Sequence, residues 1–134
     1  MKFVNILKDV GLKATPQRVA VLRELYKKNH PTIDEIYENI KIENPSISLA
    51  TVYKNLAVLR DVGLVVEIHT PSKKIRYDYF RKPHLHIVCS ACGSIKDEPY
   101  DSNFFIYKSK FEEEKSLLIN RLDVVAITKN CEFC

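Results

Sequence analysis

The four cysteines of the chain fall as Cys89-x-x-Cys92 and Cys131-x-x-Cys134, with 38 residues between the pairs. Two thiols spaced by two residues can take neighbouring corners of a tetrahedron. Two such pairs complete a four-sulfur zinc site, closed to substrate and therefore structural. In a reducing compartment that arrangement outranks a pair of disulfides. Redox-active thiols, or a different metal on the same sulfurs, are the rival readings.

The first pair lies in HLHIVCSACG, residues 84–93, which also holds His84 and His86. Side chains alternate along a strand, so His84 and His86 share one face and Cys89 takes the other. On an unbroken strand the imidazoles and the thiols then serve different ions. His84 and His86 need partners without sulfur, and Asp78 and Asp97 are close in sequence. Imidazole with carboxylate suits Fe(II) or Mn(II), and also Zn(II). The bland alternative is a pair of surface histidines. Of the other two histidines, His30 precedes Pro31, and His69 reads as solvated near a hairpin tip.

Several elements must position these groups. Phe3, Ile6, Leu7 and Val10 form a helical stripe that ends at Gly11. Thr15-Pro16 opens a second helix with Val19, Leu22 and Tyr26 on one face. Thr32 and Glu35 form a capping box before Ile33, Ile36, Tyr37 and Ile40. Ser48 caps a fourth helix with Leu49, Val52, Leu56 and Leu59 inward, closed by Gly63. The period then changes to strands at 64–69 and 75–80 around the turn TPSKK. Short helices followed by a basic-tipped hairpin predict a winged helix-turn-helix. Beyond it, strands are expected at HLHIVC, SIKDEPY and 121–128. A helix is expected at 102–118, with Phe104, Tyr107, Phe111 and Leu118 on one face. The predicted fold class is α+β: a winged DNA-binding domain over 1–80, a hinge at 81–84, and an α/β domain over 85–134.

The outer face of the fourth helix carries little charge. Ala50, Thr51, Lys54, Ala57 and Val58 point out, with Tyr53 and Asn55 on the flanks. Small residues and one cation suit a helix entering a major groove. Lys54 can reach a guanine or a phosphate, and Ala50 and Thr51 can touch thymine methyls. Tyr53 and Asn55 can reach phosphates or base edges. Lys73, Lys74 and Arg76 near the hairpin turn add positive charge, and Lys13 and Arg18 can clamp the DNA backbone. Solvated surface charge explains Lys13 and Arg18 equally well.

The charge balance agrees. The chain has 134 residues, 21 basic and 17 acidic. Residues 1–80 carry 13 bases and 9 acids, whereas 81–134 carry 8 of each, so the excess lies in the first part. No apolar run approaches the ~18 residues of a membrane span. The stretch MKFVNILKDVGLK reads as a helix and not as a signal peptide. A soluble cytoplasmic protein is the expectation.

These residues carry a resemblance. LKATPQR (12–18), HPTIDEIY (30–37), SLATVYKNL (48–56), RYD (76–78), HLHIVCSACG (84–93), IKD (95–97) and CEFC (131–134) together resemble the ferric uptake regulator (Fur) family. The resemblance is closest to the peroxide-sensing branch, PerR, and covers essentially the whole chain. It implies a bacterial homodimer that binds double-stranded operator DNA. Its C-terminal α/β domain would serve dimerisation. It implies structural Zn(II) at Cys89, Cys92, Cys131 and Cys134, and a regulatory Fe(II) or Mn(II) at His30, Asp78, His84, His86 and Asp97. The implied function is a metal-dependent repressor of oxidative-stress genes. In that branch, Fe(II) and hydrogen peroxide convert a ligand histidine to 2-oxo-histidine, here His30 or His84, and the operator is released.

Asp97 matches the peroxide sensors, where iron sensors tend to have Glu. Residues 115–130 hold no histidine, which removes the additional site of many iron regulators and departs from the usual peroxide-sensor pattern as well. An iron- or manganese-responsive regulator without peroxide sensing is the alternative. A zinc hydrolase or deaminase lacks its motifs here: there is no H-x-E with P-C-x-x-C and no H-E-x-x-H. No enzyme activity and no small organic substrate are therefore expected. A metal-stapled interaction module without DNA binding is the remaining reading.

Overall fold

The computed structural model describes residues 2–80 and 82–134. The chain divides into two compact units, Met1–Arg81 and Lys82–Cys134. Residue 81 of the expected hinge lies outside the described residues, and His84 already stands in a strand.

In the first unit, α1 (Lys2–Asp9), α2 (Pro16–Tyr26), α3 (Ile33–Glu43) and α4 (Leu49–Asp61) precede β1 (Val65–His69) and β2 (Ile75–Tyr79). Each helix after the first starts where a hydroxyl can satisfy an orphan N–H. Thr15 accepts from Arg18 N–H, Thr32 from Glu35 N–H and Ser48 from Thr51 N–H. The apolar stripes meet in one core that includes Leu7, Leu22, Leu25, Ile36, Val52, Leu56, Leu59 and Val65. β1 and β2 pair antiparallel, with Val66 opposite Asp78 and Ile68 opposite Arg76. The winged helix-turn-helix expected from the sequence is the architecture found.

Two side chains depart from the expected pattern. Leu49 was placed in the inward stripe of the fourth helix but is exposed. As the first residue of α4, it sits a turn short of the core that Val52 enters. Arg76 was grouped with the basic hairpin tip, yet it turns inward. Its guanidinium donates to His30 O at 3.0 Å and lies 3.7 Å from Glu35.

The second unit is a three-stranded sheet in the order β4-β3-β5 with one helix. β3 (His84–Cys89) pairs antiparallel with β4 (Ile95–Pro99) and parallel with β5 (Val125–Thr128). The parallel return requires a crossover, supplied by α5 (Ser102–Lys115). Asp101 caps α5 through the Asn103 and Phe104 amides.

The helix stops at Ser116 and not at 118, because Ser116 turns left-handed (φ 52°) and its N–H closes on Glu112 and Glu113 carbonyls. Leu118 consequently leaves the face predicted for it and is exposed. The last strand starts at Val125 and not at 121. Local contacts take the place of a ladder upstream: Arg121 pairs with Asp123, and the Tyr100 hydroxyl donates to Leu122 O. α5 buries none of its residues, and three of the four β5 residues are exposed.

Candidate metal centres and nucleic-acid face

β3 runs unbroken from His84 to Cys89, so its two faces serve two different groups. On one side, His86 is the direct cross-strand partner of Asp97. His86 Nε2 lies 3.3 Å from Asp97 Oδ1, and His84 Nε2 lies 3.7 Å from the same oxygen. The two Nε2 atoms are 3.1 Å apart. Donors about 2.1 Å from one ion and at right angles stand about 3 Å apart, so this spacing fits a shared cation.

The His84 ring is fixed from behind, with Nδ1 2.8 Å from Lys82 O. A carbonyl there makes Nδ1 the protonated nitrogen and leaves the Nε2 lone pair toward the cluster. No sulfur belongs to this group. It is a hard, mixed N/O set of the kind that suits Fe(II) and Mn(II).

The first unit holds a matching pair. Asp78 is fully buried on β2, and its Oδ2 lies 3.7 Å from His30 Nε2. Its other oxygen, Oδ1, takes the Lys28 ammonium at 2.7 Å. The segment carrying His30 is under backbone strain. His30 has φ 49° and Lys28 has φ 58°, the left-handed region that side chains other than glycine enter at a cost of roughly 1–3 kcal/mol each. β2 holds that segment in place: Arg76 donates to His30 O, and Tyr77 N–H donates to Pro31 O at 2.9 Å. Lys28 is thus a part of this arrangement that motif reading passed over, and Arg76 is one that it assigned to the wing. For Arg76 the signal was the HP dipeptide of the capping segment opposite RYD, legible only once the strand register was known.

On the other face of β3 the four cysteines gather, all reduced, with sulfurs within 4.8 Å of one another. Cys89 and Cys134 are 3.4 Å apart, and Cys92 and Cys131 are 3.3 Å apart. A tetrahedron with ~2.3 Å zinc–sulfur bonds has edges of about 3.8 Å, so the cluster is a slightly contracted version of that site. The β3–β4 turn builds half of it, closing through Gly93 N–H to Cys89 O, with Gly93 at φ 79°.

Ser94, which sequence reading did not select, places its hydroxyl 3.2 Å from Cys92 and 3.4 Å from Cys131. That contact, followed by the one from Cys134, lowers the Cys131 thiol to about 6. Cys134, facing Cys131 and then Cys89, is pushed up to about 12. The Ser94 hydroxyl thus favours the ionised form of Cys131, the form a metal site needs.

The proposed reading face is also legible in the first unit. Ala50, Tyr53 and Lys54 are exposed on α4. Thr51 and Asn55 are partly committed at home, Thr51 Oγ1 to Ser48 Oγ at 2.9 Å and Asn55 Nδ2 to Thr51 O at 2.9 Å. Lys13 is exposed, whereas Arg18 folds back to donate to Lys13 O at 3.0 Å, bracing the turn that enters α2. Arg60 on α4 grips Glu67 on β1 at 2.8 Å, tying the helix to the wing. His69 is exposed, with Glu67 3.7 Å away.

A winged-helix unit followed by a unit with separate thiol and imidazole–carboxylate clusters defines a metalloregulator architecture. The chain belongs to the ferric uptake regulator family, whose model matches residues 9–118. It is 35% identical to the peroxide-responsive repressor PerR of Staphylococcus aureus over 128 residues, covering 94% of this chain and 86% of that one. Among solved structures it resembles the Campylobacter jejuni peroxide stress regulator, at 47% identity and TM-score 0.82, with both chains covered completely. The ferric uptake regulator of Vibrio cholerae stands further off, at 25% identity and TM-score 0.69 over 95% of this chain and 98% of that one.

Proposed function

We propose that this protein is a metal-dependent transcriptional repressor that senses hydrogen peroxide and controls oxidative-stress genes. The observation that carries the reading is the sulfur-free cluster of His84, His86 and Asp97, in a chain 47% identical to a peroxide stress regulator. An iron- or manganese-responsive regulator without peroxide sensing is less favoured, because the relative named for ferric uptake is much less similar.

In this reading Cys89, Cys92, Cys131 and Cys134 hold Zn(II) permanently. His30, Asp78, His84, His86 and Asp97 hold an exchangeable Fe(II) or Mn(II). In a regulator of this kind, metal occupancy is coupled to DNA reading. Iron, when bound, supplies the electron that cleaves hydrogen peroxide beside a ligand imidazole, and manganese does not. The His84 ring is held through Nδ1 by Lys82 O, and the backbone that carries His30 is held by Arg76, which positions both residues for that oxidation. An imidazole that has gained oxygen binds metal poorly, and the repressor lets go.

The second unit supports a homodimer. Phe105, Ile106 and Tyr107 on α5 and Val125 and Ile127 on β5 are exposed apolar side chains, more than a lone small unit ordinarily leaves in water. Double-stranded operator DNA would meet α4 and the wing through Ala50, Thr51, Tyr53, Lys54 and Asn55, with Lys13 and Arg18 on the backbone. A regulator of this kind is not an enzyme. A cytoplasmic location belongs to the same reading, because operator DNA lies there and a four-thiolate zinc site suits a reducing compartment. No helix among the described residues is long and apolar enough to cross a membrane.

The test is to load the protein with Fe(II) or with Mn(II), add peroxide, digest, and weigh the peptides carrying His30 and His84–His86. A one-oxygen gain with iron alone, together with lost operator binding, is expected. Intact ligand histidines in the iron-loaded sample would leave a plain metalloregulator.

A further inference from the structure

Lys28 lies outside every motif that carried the family resemblance, yet its ammonium touches the most deeply buried carboxylate of the chain. Asp78 has no exposed side-chain surface, and Lys28 Nζ sits 2.7 Å from its Oδ1 and 3.0 Å from Tyr79 O. The side chain is placed by backbone geometry. α2 has ended, and Lys28 takes the left-handed conformation (φ 58°) while its N–H bonds back to Leu25 O. Glycine is the usual occupant of that position at a helix end. A lysine there accepts strain, and the result is a cation delivered to Asp78.

The two carboxylate oxygens are thereby divided. Oδ1 belongs to the lysine, and Oδ2 is on the side of the His30 imidazole, 3.7 Å from Nε2. A buried carboxylate requires positive charge nearby, and the lysine supplies it whether or not a metal is present. A divalent cation that takes Asp78 as a ligand then meets a like charge only a few ångströms away. It also finds one carboxylate oxygen already engaged.

We infer that Lys28 is a resident counter-ion that shares Asp78 with the exchangeable metal and so sets the metal concentration at which the site fills. The inference rests on the proposed assignment of Asp78 as a ligand. Lys28 is a threshold-setting residue that acts on the metal through Asp78. Two consequences follow. The ammonium pairs with buried Asp78 when the metal is absent, which steadies the metal-free protein. It also opposes the incoming charge, which weakens binding and confines Asp78 to one oxygen. Asp78 is already immobilised within β2 opposite Val66. Little orientation is therefore left for Lys28 to contribute, and the opposing charge dominates.

The experiment uses the full-length, zinc-retaining protein stripped of exchangeable metal. Mn(II) is titrated in competition with a fluorescent chelator, and thermal unfolding is followed with and without Mn(II). Lys28→Met removes the charge, Lys28→Gln removes the charge but keeps a hydrogen-bond donor, and Lys28→Arg keeps both. Both neutral variants are expected to bind Mn(II) on the order of tenfold more tightly, the scale of one unit charge removed at close range under high effective dielectric. Lys28→Arg stays near the parent. Without Mn(II) the neutral variants melt lower than the parent, and saturating Mn(II) narrows that gap.

Unchanged or weaker Mn(II) binding in both neutral variants, with the parent binding normally, overturns the role of Lys28 and leaves the metal site standing. Tightening in Lys28→Met but not in Lys28→Gln also overturns it, because charge would then not be the cause. A parent protein that takes up no Mn(II) beyond its zinc overturns the site and the role of Lys28 together.

Discussion

Removing the zinc separates the two units energetically. The first unit packs a cluster of fifteen buried hydrophobic side chains. In the second unit the buried apolar side chains among the described residues are Leu85, Val88 and Cys89. Full burial of Leu85 and Val88 stabilises by about 1.5–3 kcal/mol each. Ordering each residue of the backbone costs roughly 1–2 kcal/mol, so that apolar burial is far too small to hold β3, β4, α5 and β5 by itself. A four-thiolate zinc contributes on the order of 10–16 kcal/mol of apparent binding energy, available only in the folded unit.

Cys92→Ser, or a strong chelator on the parent, is therefore expected to melt the second unit and spare the first. Helices α1 to α4 hold 8, 11, 11 and 13 residues, and α5 holds 14. Far-ultraviolet circular dichroism should thus keep about three-quarters of its helical signal, as expected when one of two independent units unfolds. Backbone amide exchange should become fast in β3–β5 and stay slow in Val21, Leu22, Val52 and Leu56. The elution volume should also show loss of the dimer. A single cooperative loss of all helical signal on zinc removal would refute the reasoning, because it would mean that the winged unit depends on the zinc as well.

The remaining predictions use the same structure. Asp97→Asn keeps the shape of the cross-strand pair with His86 but removes a charge from the cluster, so Mn(II) affinity should fall at least ~10-fold while zinc content stays unchanged. Lys54→Ala should weaken operator binding, and the slope of log affinity against log salt should shrink by about 1 if Lys54 meets a phosphate. An unchanged slope with relaxed sequence preference would assign it to a base instead. Ser48→Ala removes the hydroxyl that accepts Thr51 N–H and should cost about 1 kcal/mol in denaturant unfolding of the winged unit.

Glu112 accepts Ile119 N–H at 2.8 Å and, next, the Lys108 ammonium, which hold its carboxyl below the usual glutamate range. A lowered folded value contributes stability that is complete above the ordinary titration near ~4.3 and disappears as pH falls through the lowered one. Protection of the Ile119 amide should therefore persist at pH 5 and vanish in stronger acid. Glu112→Gln should abolish that pH dependence.

What the sequence made legible, and what it did not, follows from the range of each interaction. Caps at Thr15, Thr32 and Ser48, the turn at Gly63 and the period change at residue 64 are local. They placed the winged helix-turn-helix without any knowledge of tertiary contacts. Strand parity is local too, and it divided HLHIVCSACG into an imidazole face and a thiol face as β3 does. Register is not local. Nothing in the spacing of His86 and Asp97 announces that they are direct partners, or that Tyr77 N–H holds Pro31.

Arg76 went astray for the same reason. Next to Lys73 and Lys74 it reads as one more wing cation, and only the β2 register opposite Thr32 turns it toward His30. Leu118 failed because the helix closes at a left-handed Ser116, a stop that the periodicity of its apolar residues does not mark. Lys28 and Ser94, which sequence reading did not select, and Arg76, which it assigned to the wing, share a position one contact behind a ligand. Motifs preserve the atoms that touch a metal. The neighbours that set its charge and orientation reach it across strands and helix ends, where spacing along the chain carries no information.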